Sequence, residues 1–181
     1  DHAGAVPNGL SFALGVGAGR LFAGTGGGVA VSADSGGTWN AGIEGMHNGT
    51  ALSLYSYGPY LFAGTNEWGV WRTSDAGSYW ARSSNGLTSR SIYGFAASGN
   101  RLLAATNGQG VFASTDSGAN WSDASSGLTN LSVFSIAANG TYGYAGTTSG
   151  IFRSTDGGTT WSAAALPVTT PFVYGIAAID S

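Results

Sequence analysis

The side chains best suited to acid–base work in this 181-residue chain are nine carboxylates and two histidines. Four of the carboxylates, Asp34, Asp75, Asp116 and Asp156, stand in nearly the same sentence: "SADSGGTW" from residue 32, "TSDAGSYW" from 73, "STDSGANW" from 114 and "STDGGTTW" from 154. Paired carboxylates suggest glycoside hydrolysis, which needs two of them about 5–9 Å apart. Four equivalent aspartates spread evenly along a chain cannot converge on one reaction centre. The local spacing suits a turn instead. An Asp in a tight turn accepts hydrogen bonds from N–H groups ahead of it. The Gly two positions on permits positive φ, and the Trp three further on opens a strand and tucks its ring beneath the turn. Ser32, Asp34, Gly36 and Trp39 are therefore expected to be structural. So are Thr73, Asp75, Gly77 and Trp80; Ser114, Asp116, Gly118 and Trp121; and Ser154, Asp156, Gly158 and Trp161.

The remaining acids are Asp1, Glu44, Glu67, Asp123 and Asp180. No Ser/His/Asp pattern stands out, two histidines make a poor metal site, and the absence of cysteine removes thiolate ligands and nucleophiles. No cofactor and no metal is expected. Only 8% of residues are charged and the net charge is −3. All six basic residues are Arg, so no basic patch follows a phosphate backbone, and nucleic acid is not an expected partner. No apolar run reaches the length of a membrane span and no signal peptide is visible. The chain opens at Asp1 with no Met, which suggests a processed or excised product. Four Asn-x-Ser/Thr sequons, at Asn48, Asn120, Asn130 and Asn139, are candidate glycosylation sites. Together with the missing Lys and the neutral polar cover, they point to an extracellular or cell-surface protein.

The elements that place these residues follow from the repeat. The four tryptophans lie 41, 41 and 40 residues apart, a period that signals a repeat architecture. Thr25, Thr65, Thr106 and Thr147 keep step, as do Gly28, Gly69, Gly110 and Gly150. Within a unit the hydrophobic period is two, punctuated by Gly, Asn and Asp, so the elements are strands and turns. In the third unit these are strands A (91–98), B (101–106), C (110–115) and D (120–125). Four strands in about 41 residues make a propeller blade. The expected fold is an all-β propeller of four-stranded antiparallel blades at approximately 11–45, 51–86, 91–127 and 132–165, with one extra strand over 171–181. That segment, "PFVYGIAAIDS", matches "SIYGFAASGN" position for position and reads as strand A of a fifth blade.

On these motifs the chain resembles the Asp-box, or BNR, repeat family over roughly residues 11 to 181. That family includes sialidases, some glycoside hydrolases and many non-catalytic secreted propellers. The resemblance implies that the boxes are struts on the face opposite the ligand site. A sialidase would also carry an early Arg-Ile-Pro segment and an arginine cluster. Neither is present, so the resemblance leans to the non-catalytic members. The xyloglucanase-like hydrolases set two aspartates between two large propellers, and this chain is shorter than that.

Antiparallel order places the box turns at one end of each blade and the B–C and D–A connections at the other. Candidate ligand or interface residues at that second end are Glu44, His47, Glu67, Trp68 and Arg90, with Asn85, Asn107, Gln109 and Asn130 nearby. Both glutamates are expected there. Trp71, aligned with Phe112 and Phe152, is expected in the core, and Arg72 and Arg153 as exposed strand residues. The expected function is a non-catalytic extracellular scaffold, assembly or adhesion module. The alternatives are a carbohydrate-binding propeller or a fragment of a larger glycoside hydrolase or sialidase-like propeller. Expected partners are a second copy by strand addition through 171–181, other surface proteins, or glycans. The chain is a piece of a longer propeller, closes as four or five blades, or donates its spare strand to a neighbour in a ring or filament.

Overall fold

The computed structural model describes residues 10–41, 44–46, 49–165 and 172–178. Sixteen strands form four separate four-stranded sheets, each an antiparallel meander in chain order. The first sheet is β1 (Ser11–Gly17), β2 (Arg20–Thr25), β3 (Gly28–Ser32) and β4 (Asn40–Ala41). The second is β5 (Ala51–Tyr57), β6 (Tyr60–Thr65), β7 (Val70–Thr73) and β8 (Ala81–Arg82). The third is β9 (Ile92–Ser98), β10 (Arg101–Thr106), β11 (Gly110–Ser114) and β12 (Ser122–Asp123). The fourth is β13 (Val133–Asn139), β14 (Tyr142–Thr147), β15 (Gly150–Ser154) and β16 (Ser162–Ala163). Among the described residues there is no helix, and the sheets are the blades that the period of 41 predicts.

The outermost strand of each blade is shorter than expected. Only two residues pair with the third strand, as in Phe112 with Asp123 and Ala113 with Ser122. The chain spends the rest of that stretch on the aspartate turn and on its grip on the preceding blade. The threonine column closes each turn between the second and third strands. The hydroxyls of Thr25, Thr65, Thr106 and Thr147 donate to the carbonyls of Gly28, Gly69, Gly110 and Gly150 at 2.8–3.0 Å. All four threonines are buried, where an unpaired hydroxyl would be costly.

The cores lie between blades rather than within them. Phe22, Val29 and Val31 of blade one meet Leu61, Trp71 and Trp80 of blade two. Phe62 and Val70 of blade two meet Phe95, Phe112 and Trp121 of blade three. Leu103 and Val111 of blade three meet Ile136, Phe152 and Trp161 of blade four. Strand alternation sends one set of side chains to each face of a sheet, so every blade carries a leading face toward the blade before it and a trailing face toward the blade after it. Trp71 takes the core position expected of it, with Phe112 and Phe152.

Residues 172–178 lie across the inner half of blade four, where the first strand of a following blade belongs. The Val173 N–H donates to the Thr147 carbonyl at 3.0 Å. The Ser135 hydroxyl donates to the Val173 carbonyl at 3.3 Å, repeating the bond from Ser53 to Ile92 two interfaces earlier. The Tyr174 ring meets Phe134 at 5.4 Å, as Phe134 meets Tyr93 at 5.0 Å. These residues join no sheet; the expected extra strand otherwise falls on residues outside the described set.

Candidate functional site: the aspartate turns and the blade faces

Each aspartate turn is a closed hydrogen-bond circuit. In the first, the Ser32 hydroxyl donates to Asp34 Oδ1 at 2.8 Å and accepts the Gly36 N–H at 2.8 Å. Asp34 Oδ1 also accepts the Thr38 N–H at 2.8 Å, and Oδ2 accepts the Thr38 hydroxyl at 2.7 Å. The same set recurs around Asp116, with Ser114 and Asn120, and around Asp156, with Ser154 and Thr160. Asp75 keeps Thr73 and the Tyr79 N–H. Tyr79, in the place of Thr38, Asn120 and Thr160, does not supply the bond to the second oxygen. The turn needs two successive residues at positive φ: Ser35 and Gly36, Ala76 and Gly77, Ser117 and Gly118, Gly157 and Gly158.

These bonds favour the charged carboxylate. The Thr38 hydroxyl and N–H, then Ser32, hold Asp34 down to about 2. Asn120 by side chain and backbone, then Ser114, hold Asp116 down to about 2. Asp156 is lowered by Thr160 and Ser154. Asp75 is lowered by the Tyr79 N–H and the Thr73 hydroxyl. A carboxylate held ionised and saturated with donors is poorly placed to shuttle protons at neutral pH.

The second, third and fourth turns also fasten their blades to the one before. The backbone N–H groups of Trp80, Trp121 and Trp161 donate to the carbonyls of Glu44, Asn85 and Ser126 at 2.8–2.9 Å. The indole N–H of Trp121 donates to the Ser83 carbonyl, and that of Trp161 to the Ala124 carbonyl, both at 2.8 Å. The indole of Trp80 is fully buried, with no acceptor among the described residues; the equivalent carbonyl belongs to position 42, outside that set. An arginine completes the fastening. Arg20 donates to the Ala76 carbonyl, Arg72 to that of Ser117 and Arg101 to that of Gly158, each reaching the turn of the next blade. Arg72 is thus a half-buried connector rather than an exposed strand residue, and it lies over the Tyr60 ring at 4.6 Å. Arg153 is exposed and stacks on Tyr142 at 4.7 Å in the same way. Arg20 and Arg101 open the second strands of their blades whereas Arg72 lies on a third strand, so two columns of the repeat share this role.

The residues expected at the opposite end divide. Glu67 and Trp68 occupy the β6–β7 turn, with Trp68 39% exposed and the Trp68 N–H on Thr65 Oγ1 at 2.9 Å. The exposed Arg90 places its carbonyl on the Gly69 N–H at 2.8 Å, so Arg90 reaches this turn. Glu44 does not join them. Its backbone bridges to Tyr79, and it lines a groove with Gly77 and Ser78 at the aspartate-turn end. Because the fourth strand is only two residues long, the connection after it begins close to the next aspartate turn. Asn85 is held there too, its amide donating to the Asn120 side chain. Glu44 and Glu67 therefore belong to different ends of blade two and make no catalytic pair. His47 and Asn48 lie outside the described residues. Of the other sequons, the Asn120 amide is occupied by Asp116, and the Asn130 amide by Thr148 and Ser149. Asn139 closes β13 opposite Tyr142.

No protein-family model and no curated protein matches the chain. Solved structures do. One is the extracellular domain of the putative hybrid two component system BT3049 from B. thetaiotaomicron, with a TM-score of 0.74 at 12% identity over 91% of this chain and 26% of that one. Another is AFV00434, an ancestral GH74 enzyme, with a TM-score of 0.67 at 22% identity over 84% of this chain and 23% of that one. A third is YCF48 bound to D1 peptide, with a TM-score of 0.60 at 22% identity over 82% of this chain and 51% of that one. The chain spans a quarter to a half of the length of these proteins. At such identities the likeness speaks for architecture alone, and that architecture is the β-propeller.

Proposed function

We propose that the chain is a non-catalytic segment of an extracellular propeller of the Asp-box type, and that its work is interaction through blade faces. One observation carries the reading: an apolar position that is buried or half-buried at the junctions between blades is open on the described leading face of blade one. Leu14 is 73% exposed, whereas its equivalents are half-buried on blade two (Leu54) and 6% and 7% exposed on blades three and four (Phe95 and Ile136). Contiguous apolar surface of this kind marks a contact site. The extracellular placement is supported by the low charge and by the extracellular domains among the similar folds.

A second reading, glycan binding, is favoured by the exposed ring of Trp68 beside Asn66, Glu67 and Arg90. Aromatic faces of that kind stack on sugars while amides and guanidinium groups take hydroxyls. One panel of oligosaccharides tests both readings. The non-catalytic reading expects no turnover by the chain, and turnover abolished by Glu67→Gln would end it. Binding without turnover, lost in Trp68→Ala at unchanged melting temperature, would favour the second reading.

A further inference from the structure

We propose that Asn107 is a site of spontaneous covalent modification: it deamidates through its bond to Gly108 while the blades stay folded, and so places a carboxylate on the end of the molecule that carries Trp68 and Arg90. The inference is independent of both functional readings above.

The chemistry belongs to an asparagine followed by a glycine. The glycine backbone nitrogen, having lost its proton, attacks the side-chain carbonyl carbon of the asparagine, and ammonia leaves. Water then opens the cyclic imide at either carbonyl. The products are aspartate and its isomer, in which the backbone runs through the side chain. Overall the side chain exchanges NH2 for OH, consuming water and releasing ammonia. Asparagine is a thermolabile residue, and glycine, having no Cβ, allows close approach at its backbone.

Three such pairs lie within the described residues, at Asn85, Asn107 and Asn139, and the structure separates them. Asn85 is clamped. Its amide donates to Asn120 and its carbonyl accepts the Trp121 N–H at 2.9 Å. A Cβ on the adjoining Gly86 would lie 2.1 Å from the Trp121 carbonyl oxygen, so the peptide cannot turn without opening the blade junction. Asn139 is half-buried and its backbone pairs with Tyr142. The Gly140 carbonyl after it accepts the Ser98 hydroxyl at 2.6 Å. Asp156 and Gly157 make the aspartate version of the pair, but the attacking nitrogen is occupied: the Gly157 N–H donates to the Thr141 carbonyl at 2.8 Å.

Asn107 is the opposite case. Asn107 and Gly108 are exposed in the turn between β10 and β11. Among the described residues neither the Asn107 side chain nor the Gly108 N–H makes a hydrogen bond, and a Cβ on Gly108 would meet nothing within 4 Å. The turn is held at its base instead. The Thr106 hydroxyl donates to the Gly110 carbonyl at 2.8 Å, and the Asn107 N–H to the Ser91 carbonyl at 3.4 Å. Its tip can reach the geometry of attack without disturbing the sheet. The new carboxylate adds negative charge to a chain whose net charge is −3, in a loop bonded to the neighbour of Arg90.

Tryptic peptide mapping of the full chain, aged at mildly alkaline pH either folded or unfolded in urea, tests the proposal. Cleavage after arginine puts Asn85 in the peptide 83–90 and Asn107 with Asn139 in the peptide 102–153, where fragmentation tells the two apart. On folding, Asn107 is expected to keep its unfolded rate to within about threefold, while Asn85 and Asn139 slow by more than about tenfold, as structured backbone is protected. Conversion at Asn107 is expected to yield aspartyl and isoaspartyl peptides together and to quicken as pH rises. Asn107→Gln is expected to abolish the early mass gain of the peptide 102–153. Asn107 slowed by folding as strongly as Asn85 would overturn the proposal. So would an aspartyl product with no isomer, which marks direct hydrolysis, or a mass gain that persists at the parent rate in Asn107→Gln.

Discussion

At the scale of single residues, the second oxygen of each turn aspartate separates three turns from the fourth. Thr38, Asn120 and Thr160 supply a side-chain donor, and Tyr79 does not. A folded-state pKa below the unfolded one adds stability that is complete above the unfolded value and lost as pH falls through the folded value. For Asp34 and Asp116 that window runs from the ordinary 3.8 down to about 2. The chain is therefore expected to keep its melting temperature at and above about pH 5, and to lose it steeply below about pH 4. Tyr79→Thr adds the missing donor to Asp75 and is expected to raise the melting temperature at neutral pH, with the gain shrinking as pH falls through the same window. A gain that is unchanged under strong acid would mean that the substitution acts through something other than the carboxylate. The roles of Asp, Gly and Ser/Thr in the turn were legible in the sequence because they are local: acceptor, positive φ and bridging hydroxyl are near neighbours in the chain. The arginine connectors were not, because their acceptors are 45–57 residues away and the role is split between two columns of the repeat.

At the scale of elements, the tryptophan that ends each aspartate turn is an anchor only where another blade lies beneath it. Trp121 is buried against Phe95, with ring centroids 6.4 Å apart, and its indole N–H is satisfied by Ser83. Trp121→Ala is expected to cost about 3–5 kcal/mol, the range for large core truncations. Trp39→Ala, at the same sequence position of a blade with no preceding blade among the described residues, is expected to cost less than about 2 kcal/mol, since its ring already meets solvent and leaves a smaller cavity. Denaturant titration of the two variants checks this, and equal losses would place a packing partner over Trp39. Sequence periodicity pointed to four-stranded antiparallel blades, and in the third unit its first three strands agree with β9, β10 and β11 to within a residue. It overextended the fourth strand, because alternation in "NWSDAS" satisfies a strand template while the N–H and carbonyl groups around it are used by the neighbouring blade. That shift is also what separates Glu44 from Glu67.

At the scale of the whole molecule, stability is a sum over blade junctions, because each sheet is a meander with its apolar side chains turned outward to its neighbours. In such linear repeat arrays the terminal units are held from one side only and open first. Blades two and three are covered on both faces, and their middle strands β6 and β10 are almost wholly buried. Among the described residues, the interface between them is also the richest in aromatic contacts: Tyr55 on Phe95, Phe62 on Phe95 and Phe95 on Trp121. Among the described residues, blade one has no neighbour on its leading face, and blade four has the short 172–178 segment on its trailing face. Native-state hydrogen exchange reads this directly, since amides that exchange only by global opening mark the most stable unit. The slowest amides are expected in β6 and β10, with β1, β2 and the β14–β15 hairpin exchanging through cheaper local openings. Uniform protection across the described strands would mean that the four sheets open as one cooperative body, and that the end blades are stabilised by something other than the junctions that define the interior.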